Sequence, residues 1–397
     1  MRLLHVIAGT DPESGGPIEA LQRISEILIR DGHQVEAVSL EEQHEVASRK
    51  FSFSITGLGH GSRPYRFNPR LTPWLRENGC RFDAVVLHGL WNYSSFGSWR
   101  ALAQTSTPYY IFTHGMMDPW FREKYPFKHV AKQIFWTLAE GRVVRDASAV
   151  LFTCEEERAR ARNVFKGHPY EERVVLFGTA DPAGDAVTER AAFRSKFSTL
   201  KDRRFLLFLS RIHPKKGCDL LIQAFAQLLP ELPADLDLVI AGPDQLGWMQ
   251  ELRALADKLG VACRVHWLGM LKDSVKWGAF RTAEALILPS HQENFGFVVV
   301  EAMACATPAL VSDKVNIWRE VETSQAGLVE PDTLAGTCNL MRRFLLLSPE
   351  AREKMSSNAR AGFLRHFDIE ITARDFARTI GFRSDTHATP AVLPPRS

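Results

Sequence analysis

The sequence predicts an α/β protein with two domains, each built around a parallel sheet. Short apolar runs typical of buried strands alternate with segments of helical spacing, and residues 285–312 give the clearest case, in the order strand, loop, helix, strand. The chain has 397 residues, which is too many for one comfortable core. Because such sheets bind ligands beyond the carboxyl ends of their strands, the loops at those ends are the first candidates for a site.

Composition narrows the class of protein. Hydrophobic residues make up 45% of the chain and charged residues 24%, and the net charge of +3 is too small to indicate a nucleic-acid partner. The 6 cysteines lie far apart without a C-x-x-C pair, which argues against a zinc site or a disulfide framework and for a reducing compartment. No apolar run approaches the roughly 18 residues that span a bilayer, and no secretion signal is visible. We therefore expect a cytoplasmic protein that is not integral to a membrane.

The first half opens with a strand, a helix and a second strand. Residues 3–8 predict a buried strand, the apolar spacing over 18–31 predicts a helix, and 35–40 predict the next strand. Before the helix lie Gly15 and Gly16, which would let backbone amides approach a phosphate at the helix N-terminus. The loop lacks the G-x-G-x-x-G spacing of a dinucleotide site, and taken alone a tight turn is the simpler explanation of the glycines.

Two histidines follow predicted strands at the ligand-binding edge. His88 comes after the strand at 84–87, and His114 comes after the strand at 109–112. An isolated histidine before glycine is more often structural than functional. Both are candidates by position, and the resemblance of the motif around His114, described below, makes His88 the weaker one.

The domain boundaries follow from the order of the strands. Strands at 150–153 and 174–177 close a first domain, 1–181. The segment 182–204, which is rich in alanine and charge, is the predicted linker, and the second domain covers 205–362.

A basic and aromatic stretch over 121–144 has two interpretations. An amphipathic segment of this composition could rest on anionic lipid headgroups, or it could be a solvated helix whose aromatic side chains belong to the core. We expect the second for most of its residues and keep peripheral membrane contact as a hypothesis. The residues concerned are Arg122, Lys124, Tyr125, Phe127, Lys128, Lys132, Phe135, Trp136, Arg142 and Arg145.

The pair Asp235 and Asp237 has the D-x-D form of a metal site. It comes just before the predicted strand 238–241, at the end opposite to the binding edge. We interpret it as a solvated entry to the strand and expect no metal there.

The stretch 285–312 carries the candidate site chemistry. Three consecutive valines cost helix propensity, but the length and the alanine-rich continuation favour a helix after Gly296. Glu293 then lies in the loop beyond a strand, and Glu301 lies about one turn inside the helix. Backbone amides at the helix N-terminus favour an anion, and carboxylates accept hydrogen bonds from hydroxyls, so the pattern suits a ligand with sugar hydroxyls and phosphates. The amides concerned are those of Asn294, Phe295 and Gly296.

Three groups of residues resemble one enzyme family, the retaining glycosyltransferases of family 4, also called group 1. The block from Ser290 through Glu293, Phe295-Gly296 and Glu301 to Pro308 resembles their E-x7-E motif. The run His-Gly-Met-x-Asp-Pro-Trp from His114 resembles a variant of a second motif. The segment 210–217, with its Ser-Arg and Lys-Gly pairs, resembles a third.

This resemblance implies a GT-B fold, in which two Rossmann-like domains face each other across a cleft and a C-terminal helix crosses back to the first domain. We expect that helix within 363–382 and a disordered tail over 383–397. The family assigns Glu293 to the donor sugar, Glu301 to the nucleotide ribose, Arg211 and Lys216 to the donor diphosphate, and His114 to the reacting sugar, with a weaker assignment for Lys215. It places a glycine-rich loop such as Gly15-Gly16 against the diphosphate. Phe177 replaces a usual asparagine, and Ile369 stands where tryptophan is common.

The resemblance therefore predicts a metal-independent, retaining hexosyltransferase without a cofactor. Its donor would be a nucleoside diphosphate sugar, with uridine or guanosine as the base, and its acceptor a hydroxyl of a glycan or of a lipid-linked molecule. Bacterial exopolysaccharide, O-antigen or glycolipid synthesis is the expected setting. The alternatives are an inactive GT-B protein that binds a nucleotide sugar as a scaffold or regulator, and a GT-B epimerase or phosphorylase.

Overall fold

The computed structural model describes residues 1–11, 16–62 and 65–382. Its first sheet has seven strands in the order β3-β2-β1-β4-β5-β6-β7, all parallel. The chain moves outward from β1 to β3 and then returns beside β1 with β4, so the switch in direction lies between β1 and β4. The strands are β1 Arg2–Ile7, β2 Gln34–Ser39, β3 Ser54–Gly57, β4 Ala84–His88, β5 Tyr109–Phe112, β6 Ala149–Phe152 and β7 Glu172–Val174.

Helices cover this sheet on both faces, as its nearly continuous apolar strands require. A π-helical turn, Trp136–Glu140, separates two of them. The helices are α1 Gly16–Arg30, α2 Gln43–Ala47, α3 Leu71–Asn78, α4 Tyr93–Leu102, α5 Trp120–Lys124, α6 Pro126–Phe135, α7 Gly141–Asp146 and α8 Glu155–Ala161.

The second sheet has six parallel strands in the order β10-β9-β8-β11-β12-β13. Its strands are β8 Arg204–Leu209, β9 Leu236–Ala241, β10 Val265–Gly269, β11 Ala285–Leu288, β12 Ala309–Ser312 and β13 Gly327–Glu330. The remaining helices are α9 Ala186–Lys196, α10 Cys218–Gln227, α11 Met249–Lys258, α12 Asp273–Thr282, α13 Phe297–Ala304, α14 Trp318–Thr323, α15 Leu334–Leu345, α16 Pro349–His366 and α17 Ile369–Thr379. The predicted fold class, two Rossmann-like parallel-sheet domains, is confirmed.

The unit at 285–312 folds as predicted. Helix α13 forms despite its three valines, because Val299 and Val300 are fully buried against the sheet and packing outweighs their low helix propensity. Gly296 starts the helix with a φ of 89°, a conformation that glycine adopts without strain.

Most of the predicted linker is structured. Helix α9 packs along α12 of the second domain, where Phe193 is fully buried and Glu189 is paired with Arg281 at 2.5 Å. The predicted linker thus contains a helix over 186–196, because a composition rich in alanine and charge is compatible with a surface helix as well as with an irregular connector.

The chain crosses back to the first domain after α16. Phe367 ends that helix, and the Asp368 side chain accepts a hydrogen bond from the Glu370 amide at 2.8 Å to begin α17. Helix α17 packs on α1, with an ion pair between Arg30 and Glu370 at 2.5 Å. The predicted crossing is confirmed, although the single helix expected from Phe363 is two helices. The predicted tail, 383–397, lies outside the described residues.

The expectation that Asp237 is solvated is wrong. The strand β9 begins at Leu236, so Asp237 lies inside the sheet with 2% exposure. Its carboxylate accepts hydrogen bonds from Arg203 at 2.8 Å and from His266 at 2.9 Å. Burial works to raise the pKa of Asp237, but these hydrogen bonds outweigh it and hold the pKa below its ordinary value. The D-x-D pair is therefore a structural ion-pair position within the second domain.

Candidate active site

The carboxyl edges of the two sheets face each other across a cleft that holds a cavity of about 370 Å³. The first domain contributes Glu19, His114 and Phe177 to its walls. The second domain contributes the predicted residues Arg211, Lys216, Glu293, Asn294, Phe295 and Glu301, together with Lys276. A neighbouring cavity of about 400 Å³ shares five of these residues and is also lined by Gly115, His213, Lys215 and Gln292. The cleft thus brings together the candidates that lay far apart in the sequence.

Glu293 and Lys216 form an ion pair at the centre of the cleft. Backbone hydrogen bonds fix the loop that carries Glu293. The Glu293 amide donates to the Lys314 carbonyl, and the Glu293 carbonyl accepts from the Asn316 amide, both at 3.0 Å. Lys216 is 5% exposed and is followed by Gly217, whose φ of 68° turns the chain. A Cβ atom at Gly217 would lie 2.2 Å from the Pro289 carbonyl oxygen, so glycine is required for this approach.

Glu301 is paired with a lysine that the sequence did not reveal. Its carboxylate is 2.6 Å from the Lys276 ammonium on α12, and the glutamate is 5% exposed. Burial raises the pKa of Glu301, and the Lys276 charge opposes that rise. Lys276 lies 25 residues before Glu301 on a different helix. No local spacing connects the two, so only the fold identifies the pair.

Positive charge lines the side of the cleft next to β8. Arg211 is exposed, and within the described part of the chain its side chain makes one long hydrogen bond, 3.4 Å, to Gln245. Lys215 donates to Gln292 at 2.8 Å and stands 4.1 Å from the ring centroid of Trp120 in the other domain. Lys216 and Lys276 offset the charges of the two glutamates, and Arg211 and Lys215 add positive charge beside Lys216. This surplus suits a ligand with two phosphates.

A buried glutamate holds the turn that carries His114. Glu157 accepts hydrogen bonds from the Thr113 hydroxyl at 2.9 Å and the Gly115 amide at 2.6 Å, while its second oxygen accepts from the amide and the hydroxyl of Thr153. The turn needs this support because His114 has a φ of 48°. The position of Glu157 in the first turn of α8 does not by itself indicate this contact. Its hydrogen bonds join the turn after β5 to the segment after β6.

The two domains touch beside His114. A Cβ atom at Gly115 would lie 2.5 Å from the Asn294 side-chain oxygen, so the two domains approach each other this closely only because residue 115 is glycine. Glu156 and Arg319 form a further ion pair between the domains at 2.8 Å. The structure therefore has the cleft in a closed arrangement on this side.

The other residues considered in the sequence lie in the wall of the cleft, at its edge, behind it or outside the described residues. Gly15 lies outside the described residues, and Gly16 begins α1, which contributes Glu19 to the cleft. Phe177, at the position of the usual asparagine, is buried and forms part of the wall, with its ring 6.0 Å from that of His114. His88 lies behind His114, within hydrogen-bonding distance of it.

The histidines at this edge are neutral because they are buried. Burial lowers the pKa of His114 to about 4 and that of His5 to about 3, and the pKa of His88 lies well below its ordinary value. At neutral pH these rings donate and accept hydrogen bonds without carrying charge.

This burial predicts a dependence of stability on pH. Below pH 6.5 the unfolded chain takes up protons that the folded chain does not, so the free energy of unfolding falls as pH decreases toward 4. Each such histidine contributes about 1.4 kcal/mol per pH unit in that window. We expect His5→Phe to show a slope that is shallower by about that amount between pH 6 and 5 in urea unfolding. Equal slopes for the two proteins would contradict the prediction.

Two parallel-sheet domains with a cationic cleft between their carboxyl edges define a GT-B protein. Residues 15–180 match the family model for a glycosyl transferase 4-like domain, and residues 189–362 match the model for glycosyl transferases group 1. The chain belongs to the group 1 glycosyltransferases with a GT-B fold.

Individual relatives agree with this assignment. A D-inositol 3-phosphate glycosyltransferase of Actinosynnema mirum is 30% identical over 263 residues, which are 63% of this chain and 62% of that protein. An alpha-D-kanosaminyltransferase of Streptomyces kanamyceticus is 31% identical over 225 residues, which are 56% of this chain and 57% of that protein. The chain thus covers less than two thirds of the length of either relative. The crystal structure of HepE from Anabaena in complex with UDP-glucose has a TM-score of 0.74 at 18% identity and covers 96% of this chain and 99% of that chain, which supports the fold.

Proposed function

We propose that the protein is a retaining hexosyltransferase that moves a hexose from a nucleoside diphosphate sugar to a hydroxyl of a glycan or lipid-linked acceptor. The observation that carries the proposal is the single cleft in which Glu293 and Glu301 meet Arg211 and Lys216. The carboxylates can accept hydrogen bonds from sugar and ribose hydroxyls, and the cations can bind the diphosphate. Bacterial exopolysaccharide, O-antigen or glycolipid synthesis remains the proposed setting.

In the proposed reaction, the bond between the anomeric carbon and the diphosphate oxygen breaks, and a bond from that carbon to the acceptor oxygen forms. The proton of the acceptor hydroxyl goes to the departing diphosphate. Negative charge grows on that group in the transition state, where Arg211 and Lys216 stabilise it. Glu293 orients the sugar, Glu301 holds the ribose, and His114 faces the sugar. The closed contact beside Gly115 would limit hydrolysis by water.

We propose that no metal or cofactor takes part. The support is the cationic wall described above, which supplies positive charge where the leaving group forms, while Asp237 is held by Arg203 and His266. Excess EDTA is then expected to leave the rate of donor consumption within about twofold. A rate that falls with EDTA and returns with Mg²⁺ or Mn²⁺ would contradict this.

The test of the function is consumption of UDP-, GDP- and ADP-sugars by purified protein, with UDP-glucose first because HepE was crystallised with it. We expect slow hydrolysis of one donor, and NMR of the first sugar released should show the anomeric configuration of the donor. Binding without turnover across a broad acceptor panel would favour the inactive scaffold. Formation of an epimerised nucleotide sugar, or of a sugar 1-phosphate in the presence of phosphate, would favour the epimerase or phosphorylase.

A stripe of exposed apolar side chains supports contact with a membrane. Phe127 is 91% exposed, and Val130, Ile134 and Leu138 are each about 60% exposed at helical spacing along α6 and the π-helical turn. Trp136 is buried, as expected of the core aromatics, but the stripe itself faces outward. We propose that this face rests on a lipid surface.

Exposed basic residues near the stripe favour a lipid surface that is anionic. Arg122, Lys124, Lys128 and Arg142 are exposed on the same part of the first domain. Each lysine or arginine near an anionic surface adds roughly 1 kcal/mol of attraction. Among the described residues, no helix is both long enough and apolar enough to cross a bilayer, so the proposed contact is peripheral.

Vesicle flotation tests this contact. We expect the protein to float with phosphatidylglycerol vesicles and not with phosphatidylcholine vesicles, and the triple variant Phe127→Ser, Val130→Ser, Ile134→Ser to lose at least tenfold in partitioning. The matched control is Val187→Ser with Leu346→Ser, which removes exposed apolar side chains elsewhere. Equal flotation of the triple variant and the control would contradict the assignment of this face.

A further inference from the structure

Three histidines, of which His5 and His88 are buried and His114 is half-buried, form a hydrogen-bonded row that ends at the cleft. His5 Nδ1 lies 2.9 Å from His88 Nε2, and His88 Nδ1 lies 3.0 Å from His114 Nε2. The residues come from β1, the end of β4 and the turn after β5, which are neighbours in the sheet. The rings of His88 and His114 are nearly parallel, at 12°, and those of His5 and His88 are tilted by 46°. Both angles are compatible with an N–H···N hydrogen bond, because a twist about the line joining the two nitrogens leaves the bond in place.

The two ends of the row differ in their surroundings. His5 Nε2 and His114 Nδ1 are both buried and have no hydrogen-bond partner among the described residues. The His5 ring stacks on Phe376 of α17, in the interior of the protein. The His114 ring belongs to a residue that lines both cavities of the cleft. The His114 end of the row therefore lies next to the space for a ligand, and the His5 end does not.

A row of neutral imidazoles has two consistent proton arrangements, because each ring donates from one nitrogen and accepts at the other. If all three rings carry the proton on Nε2, the unpaired N–H belongs to His5 and faces an aromatic interior. If all three carry it on Nδ1, the unpaired N–H belongs to His114. A buried N–H without an acceptor is rare and costly, so the second arrangement is favoured, since it leaves that donor beside the cleft.

We propose that His5 and His88 are positioning residues that hold His114 in the Nδ1–H tautomer, so that its ring offers a hydrogen-bond donor to an oxygen of the ligand in the cleft. The identity of that oxygen as a sugar hydroxyl rests on the proposed function. The tautomer itself is a property of the protein alone.

The first test is ¹⁵N NMR of protein labelled at histidine, recorded without ligand near pH 7.5. Ring nitrogen shifts distinguish a protonated from an unprotonated nitrogen, and single substitutions at the three positions assign the signals. We expect a protonated Nδ1 and a bare Nε2 for His5, His88 and His114. A proton on Nε2 of His114 would overturn the proposal. Exposed His44, which lies outside the row, serves as the reference signal through His44→Asn.

The second test compares His88→Asn with His88→Leu, two side chains of nearly equal size. Asparagine can place an amide N–H where Nδ1–H of His88 stood, whereas leucine has no donor. With UDP-glucose, or whichever donor the panel identifies, we expect kcat of the asparagine variant to stay within about threefold of the wild type. We expect the leucine variant to lose about tenfold, the size expected for one hydrogen bond.

Affinity for free UDP should equal that of the wild type in both His88 variants, because the proposed function places His114 at the sugar and not at the nucleotide. Equal kcat values for the two variants, or an equal loss of UDP affinity in both, would overturn the positioning role. If the wild type consumes no donor, the proposed function fails, and the NMR measurement still decides the tautomer.

Discussion

Replacement of Arg211 by methionine is expected to lower kcat for donor consumption by about 100- to 1,000-fold. The guanidinium is exposed and only weakly held by Gln245, so it is free to meet the diphosphate. The charge it offsets is larger in the transition state than in the bound donor, so kcat should fall more than donor affinity. Steady-state kinetics with the identified donor measures both.

The matched control is Arg76→Met, because Arg76 is exposed on α3 of the first domain and outside the cleft. Its kcat should stay within about twofold of the wild type. Arg211→Lys should recover only part of the rate, since an ammonium replaces a guanidinium that can bind two oxygens at once. A kcat for Arg211→Met close to that of the control would exclude Arg211 from the chemistry.

Glu293→Gln is expected to reduce both activity and stability. It leaves the Lys216 ammonium buried without its counter-charge, and the free energy of unfolding should fall by about 2–3 kcal/mol, less than for a fully buried pair because Glu293 is partly exposed. Loss of the carboxylate that orients the sugar should lower kcat by at least 100-fold. Denaturant unfolding and donor consumption measure the two effects separately.

The double variant Lys216→Met, Glu293→Gln distinguishes the two effects. Removing the lysine removes the unpaired buried charge, so stability should recover most of the loss while activity stays low. If the double variant is no more stable than Glu293→Gln, the ion pair does not account for the stability effect. If Glu293→Gln keeps wild-type kcat, the role of Glu293 toward the sugar is wrong.

The parts of the site that could be predicted from the sequence lie in short segments after a strand. Glu293 and Glu301 belong to one continuous unit, and Arg211 and Lys216 follow β8 in the same way. Parallel topology places the ends of all such strands at one edge, so a local pattern is enough to bring these residues into one cleft. The fold class follows from the same regularity.

Features that depend on contacts between distant segments were not predictable. Lys276 meets Glu301 only through the packing of α12 beside α13, and Glu157 on α8 joins the His114 turn to the segment after β6. In the sequence, His5 is an ordinary residue of a buried strand. Its contact with His88 arises only because β1 and β4 are neighbours in the sheet. Side-chain spacing along one element carries no information about such partners.

The burial of individual side chains was also predicted wrongly from the local sequence pattern. Asp237 falls inside β9 because the strand begins two residues earlier than predicted, and Phe127 is exposed although aromatic residues usually contribute to a core. In both cases the tertiary structure decides which face is covered. The exposed stripe on α6 is informative for that reason, since an uncovered apolar face indicates a surface that another body can cover.

Calorimetric titration of the purified protein with UDP, GDP and ADP tests whether the cleft is a site for a nucleoside diphosphate. We predict that at least one of them binds, that its monophosphate binds at least tenfold more weakly, and that Arg211→Met removes most of this difference. Binding of none of the three, or equal affinity for the diphosphate and the monophosphate in the wild type, would contradict the account at its centre.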